Sequence, residues 1–436
     1  LIFFSAIAFV FIAHPHQANS QAISSSKENL ELVDLEKFSD MISRVEKKWQ
    51  NNYEGYFKRD FLNRNRPATK IADHLREIQQ QAKIRPAVIW VVPQDDFLEL
   101  MLITPDKQFI VKKIRGANQE FLTKKIEELQ KEIKDYNSLD YLPPARLLYQ
   151  WIFKPLEPYL EAEKIDTLLL CTGANLRSLP YAVLHDGNKF LVEKYNIALI
   201  PAFNLTDTNY QFKAQKQVLA MGTSEFDELP SLPGIMVELE TIVPKLWSGR
   251  KLTDQAFTVQ NLINTHKQGK FDIIHIASHS RFNPGSPGNS YIQFSDGKLS
   301  LDRLANLDLN FPPVDLLVLS SCETAVGNPD AELGFAGLAI QGGVKSALAS
   351  LWGVNDTATV ALMSKFYQQL KLTPIKSLAL RKAQISMLKQ QVFVEETEIK
   401  GLGVEVNLPF TMTTDKVKNF QHPYYWAGFT IIGNPW

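Results

Sequence analysis

The 436 residues carry 47 Lys plus Arg against 47 Asp plus Glu, with 45% hydrophobic and 22% charged residues. This balance excludes nucleic acid as the main partner, because neutralising a phosphate backbone needs a basic excess or a basic stripe. The length suits two or three domains, or one large α/β unit with an appendage, and the composition excludes the disordered and low-complexity classes.

The chain opens with the apolar run LIFFSAIAFVFIA, Leu1 to Ala13, followed by the polar HPHQANSQAISSS. Such a run is too short to cross a bilayer as a helix and fits the apolar core of a signal peptide. Ala18-Asn19-Ser20 or Ser20-Gln21-Ala22 supplies a small-residue cleavage site. Neither an initiating Met nor a basic segment precedes the run, which points to a truncated start. Residues 1–22 are therefore expected to be a leader. The processed protein is expected to be periplasmic or extracellular, without a transmembrane anchor.

Residues 23–85 are expected to be helical. NLELVDLEKFSDMISRVEKKWQNNYEGYF and TKIADHLREIQQQAK place apolar residues three and four apart, with NRNRPATK as the turn between them. An α/β region follows over 86–205. PAVIWVVPQ, FLELMLITP and QFIVKKIRG have strand character, while EFLTKKIEELQKEIKDYN and ARLLYQWIFKPLEPYLEAEK are amphipathic helices. TLLLC, RSLPYAVLHD and YNIALIPAFN complete this region, and the polar NLTDTNYQFKAQKQ marks an internal boundary.

From 215 to 434 strands and helices alternate. QVLAMG is a strand and GIMVELETIVPKLW a helix; a short strand around Arg250-Lys251-Leu252 leads to the helix FTVQNLINTHK. FDIIHIASH, the loop RFNPGSPGNS, YIQFSDG, the helix LDRLANL and VDLLVLSSC come next. FAGLAIQGG is a small-residue helix, SALASLW a strand, TATVALMSKFYQQL and IKSLALRKAQISMLKQ helices, and HPYYWAGFTIIGNPW carries a last strand. Unbroken aliphatic strands separated by helices predict an α/β sandwich on a mostly parallel sheet covered on both faces.

Two successive strands of this series end in reactive residues, His279 and Cys322. In open parallel sheets functional groups gather beyond the carboxyl ends of the strands. A thiol and an imidazole in one crevice are the minimum equipment for acyl transfer through a thioester. Cys171, the other of the two cysteines, ends TLLLC and suits a small buried core residue. An oxidising compartment favours a Cys171–Cys322 bridge, but one disulfide adds little to a core this large, so Cys322 is expected to be free.

His275 and His279 stand four apart, which on a helix suggests a metal. Their β-branched surroundings indicate a strand, and no cysteine cluster exists, so no metal is expected. GLGVEV at 401–406 lacks the third glycine and follows no strand, so it makes no dinucleotide loop, and no cofactor is expected. Gly334, Gly337, Gly342 and Gly343 suit close helix-to-sheet packing.

HIASHSRFN, PVDLLVLSSCETAVGN, ELGFAGLAIQGGVKSALASLWGVNDTAT and HPYYWAGFTIIG together resemble the CHAT domains, bacterial relatives of caspases and separase. LRSLPYAVLHD and LPGIMVELETI extend the resemblance over residues 120–434. It implies a caspase-like α/β sandwich, preceded here by a helical region, and endopeptidase activity by a Cys-His dyad on Cys322 and His279. It also implies a degenerate, non-catalytic first half, a part that 86–205 could play. The backbone N–H groups of Ser280 and Cys322 are the expected oxyanion donors. The family usually has Gly where this chain has Ser280, and a positive φ there would strain a serine. A basic substrate side chain needs a carboxylate near the Cys322 loop. Asp356 comes first, with Glu323, Glu332 and Asp330 also near. The expected partner is a protein or peptide substrate. The alternative is an inactive CHAT module whose N-terminal helices bind a regulatory protein.

Overall fold

The computed structural model describes residues 34–62, 64–324, 328–413 and 419–436, with Cys322, Thr324 and Thr413 described by their backbone alone. The expected leader, 1–22, lies outside the described residues. From residue 34 onward the chain forms one compact unit.

The N-terminal region is a pair of helices, α1 (Leu35–Phe57) and α2 (Ala68–Ala82). Both end on a lysine in the left-handed region, Lys58 and Lys83, whose N–H closes the last turn. Helix α1 is tied to the sheet by buried Glu46, which accepts from Trp90 Nε1 at 2.7 Å and from the Phe203 and Asn204 N–H groups.

The first half of the sheet holds β1 (Pro86–Pro93), β2 (Phe97–Ile103), β3 (Phe109–Arg115), β4 (Thr167–Thr172) and β5 (Asn196–Ile200). Helices α3 (Gln119–Glu132), α4 (Leu142–Ile152), α5 (Glu157–Ala162) and α6 (Leu191–Lys194) lie between these strands in sequence. The single helix expected over ARLLYQWIFKPLEPYLEAEK is two, because Pro155 has no N–H for the intervening turn and clashes with the carbonyl one turn back.

The second half contains β6 (Val218–Gly222), α7 (Gly234–Glu240), β7 (Gly249–Thr253), α8 (Val259–Gln268), β8 (Ile273–Phe282), β9 (Tyr291–Phe294), β10 (Gly297–Ser300) and β11 (Leu316–Thr324). It continues with α9 (Pro329–Ala336), α10 (Leu338–Gly342), β12 (Ser346–Ser350), α11 (Asp356–Leu372) and α12 (Lys376–Leu388). A detached hairpin, β13 (Phe393–Glu395) and β14 (Glu398–Lys400), precedes the last strand, β15 (Phe429–Gly433). Helix α7 stops short of the expected Trp247 because Pro244 forces Val243 to an extended φ of −129°. GLGVEV does follow a strand, β14, but one paired only with β13 and not part of the large sheet.

The large sheet runs β10-β9-β8-β11-β12-β15-β5-β4-β1-β2-β3, with β6 and β7 joined to the outer side of β8. Strands β7, β6, β8, β11 and β12 are parallel to one another, as are β15, β5, β4 and β1. The two parallel blocks meet at the antiparallel pair β12–β15. Helices α9 and α10 pack on β8, β11, β12 and β15, while α7, α11 and α12 pack on β6, β8, β11, β15 and β5. These groups share strands, and their main contacts are within each group and with the sheet, which makes three layers. The expected α/β sandwich on a mostly parallel sheet is what the chain forms. Gly337 packs against Phe57 of α1, where an added Cβ would stand 2.5 Å from the ring.

Candidate active site

The two strands that deliver His279 and Cys322 are neighbours, β8 and β11, paired in parallel. Leu316 to Leu319 match Ile273 to Ile276 one for one, and then β8 takes three steps to His279 where β11 takes two to Ser321. Beyond this bulge Ser321 opposes His279, and Cys322 opposes Ser280. The backbones at 279 and 322 are thus one register step apart at the carboxyl end of the parallel block, and bulges of this kind re-aim side chains.

His279 is half-buried, and its Nε2 lies 2.9 Å from the Pro230 carbonyl oxygen. A carbonyl only accepts, so Nε2 carries the hydrogen and the neutral ring keeps its lone pair on Nδ1. Phe226 meets the imidazole edge-on at 4.8 Å between ring centres. Both contacts come from the loop between β6 and α7, which is pinned by Leu232 N–H on the Ser224 carbonyl at 2.9 Å. This backbone-held histidine was not legible in the sequence, since a carbonyl carries no residue signature.

Neither strand ends where expected. β8 runs on to Phe282 because its outer edge, paired with β6 as far as Ala277, finds β9 from Ser280. Ser280 therefore lies between two paired strands, opposite Cys322 on one side and Ile292 on the other. An N–H in a strand points within the sheet toward one neighbour, so the Ser280 donor faces a ladder and not the loop the sequence suggested. Ser280 is not among the residues at positive φ, so the serine is unstrained. Its hydroxyl is buried without a hydrogen-bond partner among the described residues. Across β11, the ladder with β12 runs from Leu316 to Val318 among the described residues and stops short of Cys322.

The four acidic candidates separate. Asp356 opens α11, and its Oδ2 accepts the Gly234 N–H at 2.7 Å. Burial, with Glu238 nearby, raises its pKa to about 6. Glu323 is exposed and pairs with Arg281 at 3.2 Å. Asp330 accepts from Gly285 N–H at 3.2 Å. Glu332 must be corrected as a substrate ligand, because it is fully buried on α9. It accepts from Asn175 N–H at 2.7 Å and from the Ser178 hydroxyl, so both oxygens face the interior.

His275 is buried away from this crevice, with Nδ1 3.1 Å from Tyr367 OH and Nε2 2.8 Å from Glu238 Oε1, the latter too bent for a hydrogen bond. Among the described residues no three His, Cys, Asp or Glu side chains converge to hold a metal ion. Cys171 is buried with a free thiol, and burial pushes its pKa far up. No helix of the described residues is long and apolar enough to cross a membrane.

A three-layer α/β protein with a histidine on one strand and a cysteine on the next is the class that fold and register define. The CHAT domain family model matches residues 142–434, and the chain belongs to that family. No curated protein matches the chain. Two crystal structures of the Saccharomyces cerevisiae separase–securin complex are similar at 11% and 12% identity, with TM-scores of 0.47 and 0.48. Each match covers 84% of this chain and 31% of the other, so this chain spans about a third of that length. The complex of Porphyromonas gingivalis RgpB pro- and mature domains is similar at 11% identity and a TM-score of 0.37, over 80% of this chain and 78% of that one.

Proposed function

We propose that this CHAT protein is an exported, caspase-like cysteine endopeptidase, with Cys322 as nucleophile and His279 as base. The observation that carries the reading is the Pro230 carbonyl on His279 Nε2, which leaves Nδ1 as the proton acceptor of a histidine whose backbone stands one register step from that of Cys322. Nδ1 takes the thiol proton as sulfur attacks the scissile carbonyl carbon. The tetrahedral oxyanion collapses to a thioester, and the imidazolium returns its proton to the departing amine. Water, activated by the same nitrogen, then hydrolyses the thioester and frees the carboxylate and the thiol. A substrate strand would lie along β11 beyond its ladder with β12.

The test is cleavage of a peptide library by the purified protein, with labelling of Cys322 by a thiol-directed peptidyl probe read by mass. Cys322→Ala and His279→Ala are expected to lower cleavage by roughly 10⁴–10⁶, as when either half of a nucleophile–base pair is lost. One observation favours the second reading, an inactive module that binds a protein: Ser280 lies inside the sheet between β11 and β9, and not in a loop where its N–H could turn toward a substrate oxyanion. No cleavage together with no labelling of Cys322 would support that reading.

A further inference from the structure

We infer that Asp356 is a positioning residue for His279: its carboxylate fastens Gly234, and with it the loop whose Pro230 carbonyl holds the imidazole. This rests on the proposal that His279 is the base. The contacts run in one line. Asp356 Oδ2 accepts the Gly234 N–H at 2.7 Å at one end of the loop, and Pro230 O takes the His279 Nε2 hydrogen at 2.9 Å within it. At the other end Thr223 Oγ1 lies 3.3 Å from Asp254 Oδ1.

The approach of Asp356 is built for a glycine. A Cβ on residue 234 would stand 2.5 Å from Asp356 Oδ1 and 2.7 Å from its Cγ, so any other residue would drive the carboxylate away. Nor is the carboxylate occupied with its own helix, because Asn355 Oδ1 caps α11 by accepting from Ala358 N–H. Ionised at neutral pH, it makes a charge-assisted bond, about twice as strong as a neutral one. The charged group facing it is Glu238 on α7, which is itself backed by His275 on β8 and Tyr367 on α11.

The competing role, a carboxylate that receives a basic substrate side chain, predicts different behaviour. Asparagine keeps an acceptor oxygen for Gly234 but loses the charge, while alanine loses both. For a positioning residue, Asp356→Asn keeps kcat within about threefold of wild type, and Asp356→Ala lowers kcat about 10- to 100-fold with KM unchanged. Gly234→Ala should imitate Asp356→Ala. A direct readout needs no turnover: ¹⁵N NMR of the histidine rings, with His279→Gln to assign the signal. Wild type and Asp356→Asn should show His279 as the Nε2–H tautomer, and Asp356→Ala as a mixture. An unchanged His279 signal in Asp356→Ala, or an equal rise of KM for basic peptides in both Asp356 variants, would overturn the inference. A protein that cleaves nothing yet shows the tautomer change would overturn the peptidase proposal and leave the role of Asp356 standing.

Discussion

Asp356 spends stability to sit where it does. Its pKa is raised from 3.8 to about 6 by burial, so between these values the folded state binds a proton that the unfolded chain has released. The group's contribution to stability therefore falls as pH rises through that window, and the loss is complete above it. About two pKa units correspond to up to about 3 kcal/mol. Asp356→Asn should raise the melting temperature at pH 8 and leave it nearly unchanged at pH 4; equal gains at both would contradict this origin. At this scale the sequence singled out His279 and Cys322 by their places on successive strands, and Cys322 also by the scarcity of cysteine. It could not show Pro230, whose contribution is a main-chain oxygen, or separate Glu332 from Asp356, since burial and partners come only with the tertiary fold. Ser280 was singled out for a strain that its extended backbone does not have.

At the scale of elements, α9 carries most weight, because it follows directly on the segment after Cys322. Asn328 caps it by accepting the Asp330 and Ala331 N–H groups, and Glu332 locks its first turns to the segment after β4. Burial raises the pKa of Glu332, with Arg177 nearby opposing that rise. Glu332→Ala would take the acceptor from the buried Ser178 hydroxyl and from the half-buried Asn175 N–H. A loss of about 2–3 kcal/mol is expected from denaturant unfolding, against under 0.5 kcal/mol for the exposed Glu323→Ala. Periodicity revealed most helices and strands of the core. It failed where proline overrode it, at Pro155 and Pro244, and where pairing extended a strand beyond its apolar run. The residues from Ser280 to Phe282 are strand because β9 and β11 flank them, a long-range fact with no local signature.

For the molecule as a whole, the joint is β15. It pairs with β12 through Ser346 to Ser350 on one side and with β5 through Ala198 and Leu199 on the other, so the last strand in sequence binds the two halves into one sheet. The polar boundary foreseen near 204–217 is a surface connection, exposed from Gln211 to Gln215. A single tryptic cut after Lys213 should leave two fragments that co-elute on gel filtration and melt in one transition. Separation of the fragments without denaturant would show that β15 does not hold the halves together. Parallel blocks were foreseeable from aliphatic runs, whereas the order in which they join was not, because periodicity carries no record of which strand lies beside which.

That arrangement sets a schedule on synthesis. β15 comes after β5 and β12 in the chain, and until it is in place their facing edges have no partner from it. A change that removes Phe429 to Gly433 would leave two strand edges unpaired and open to self-association.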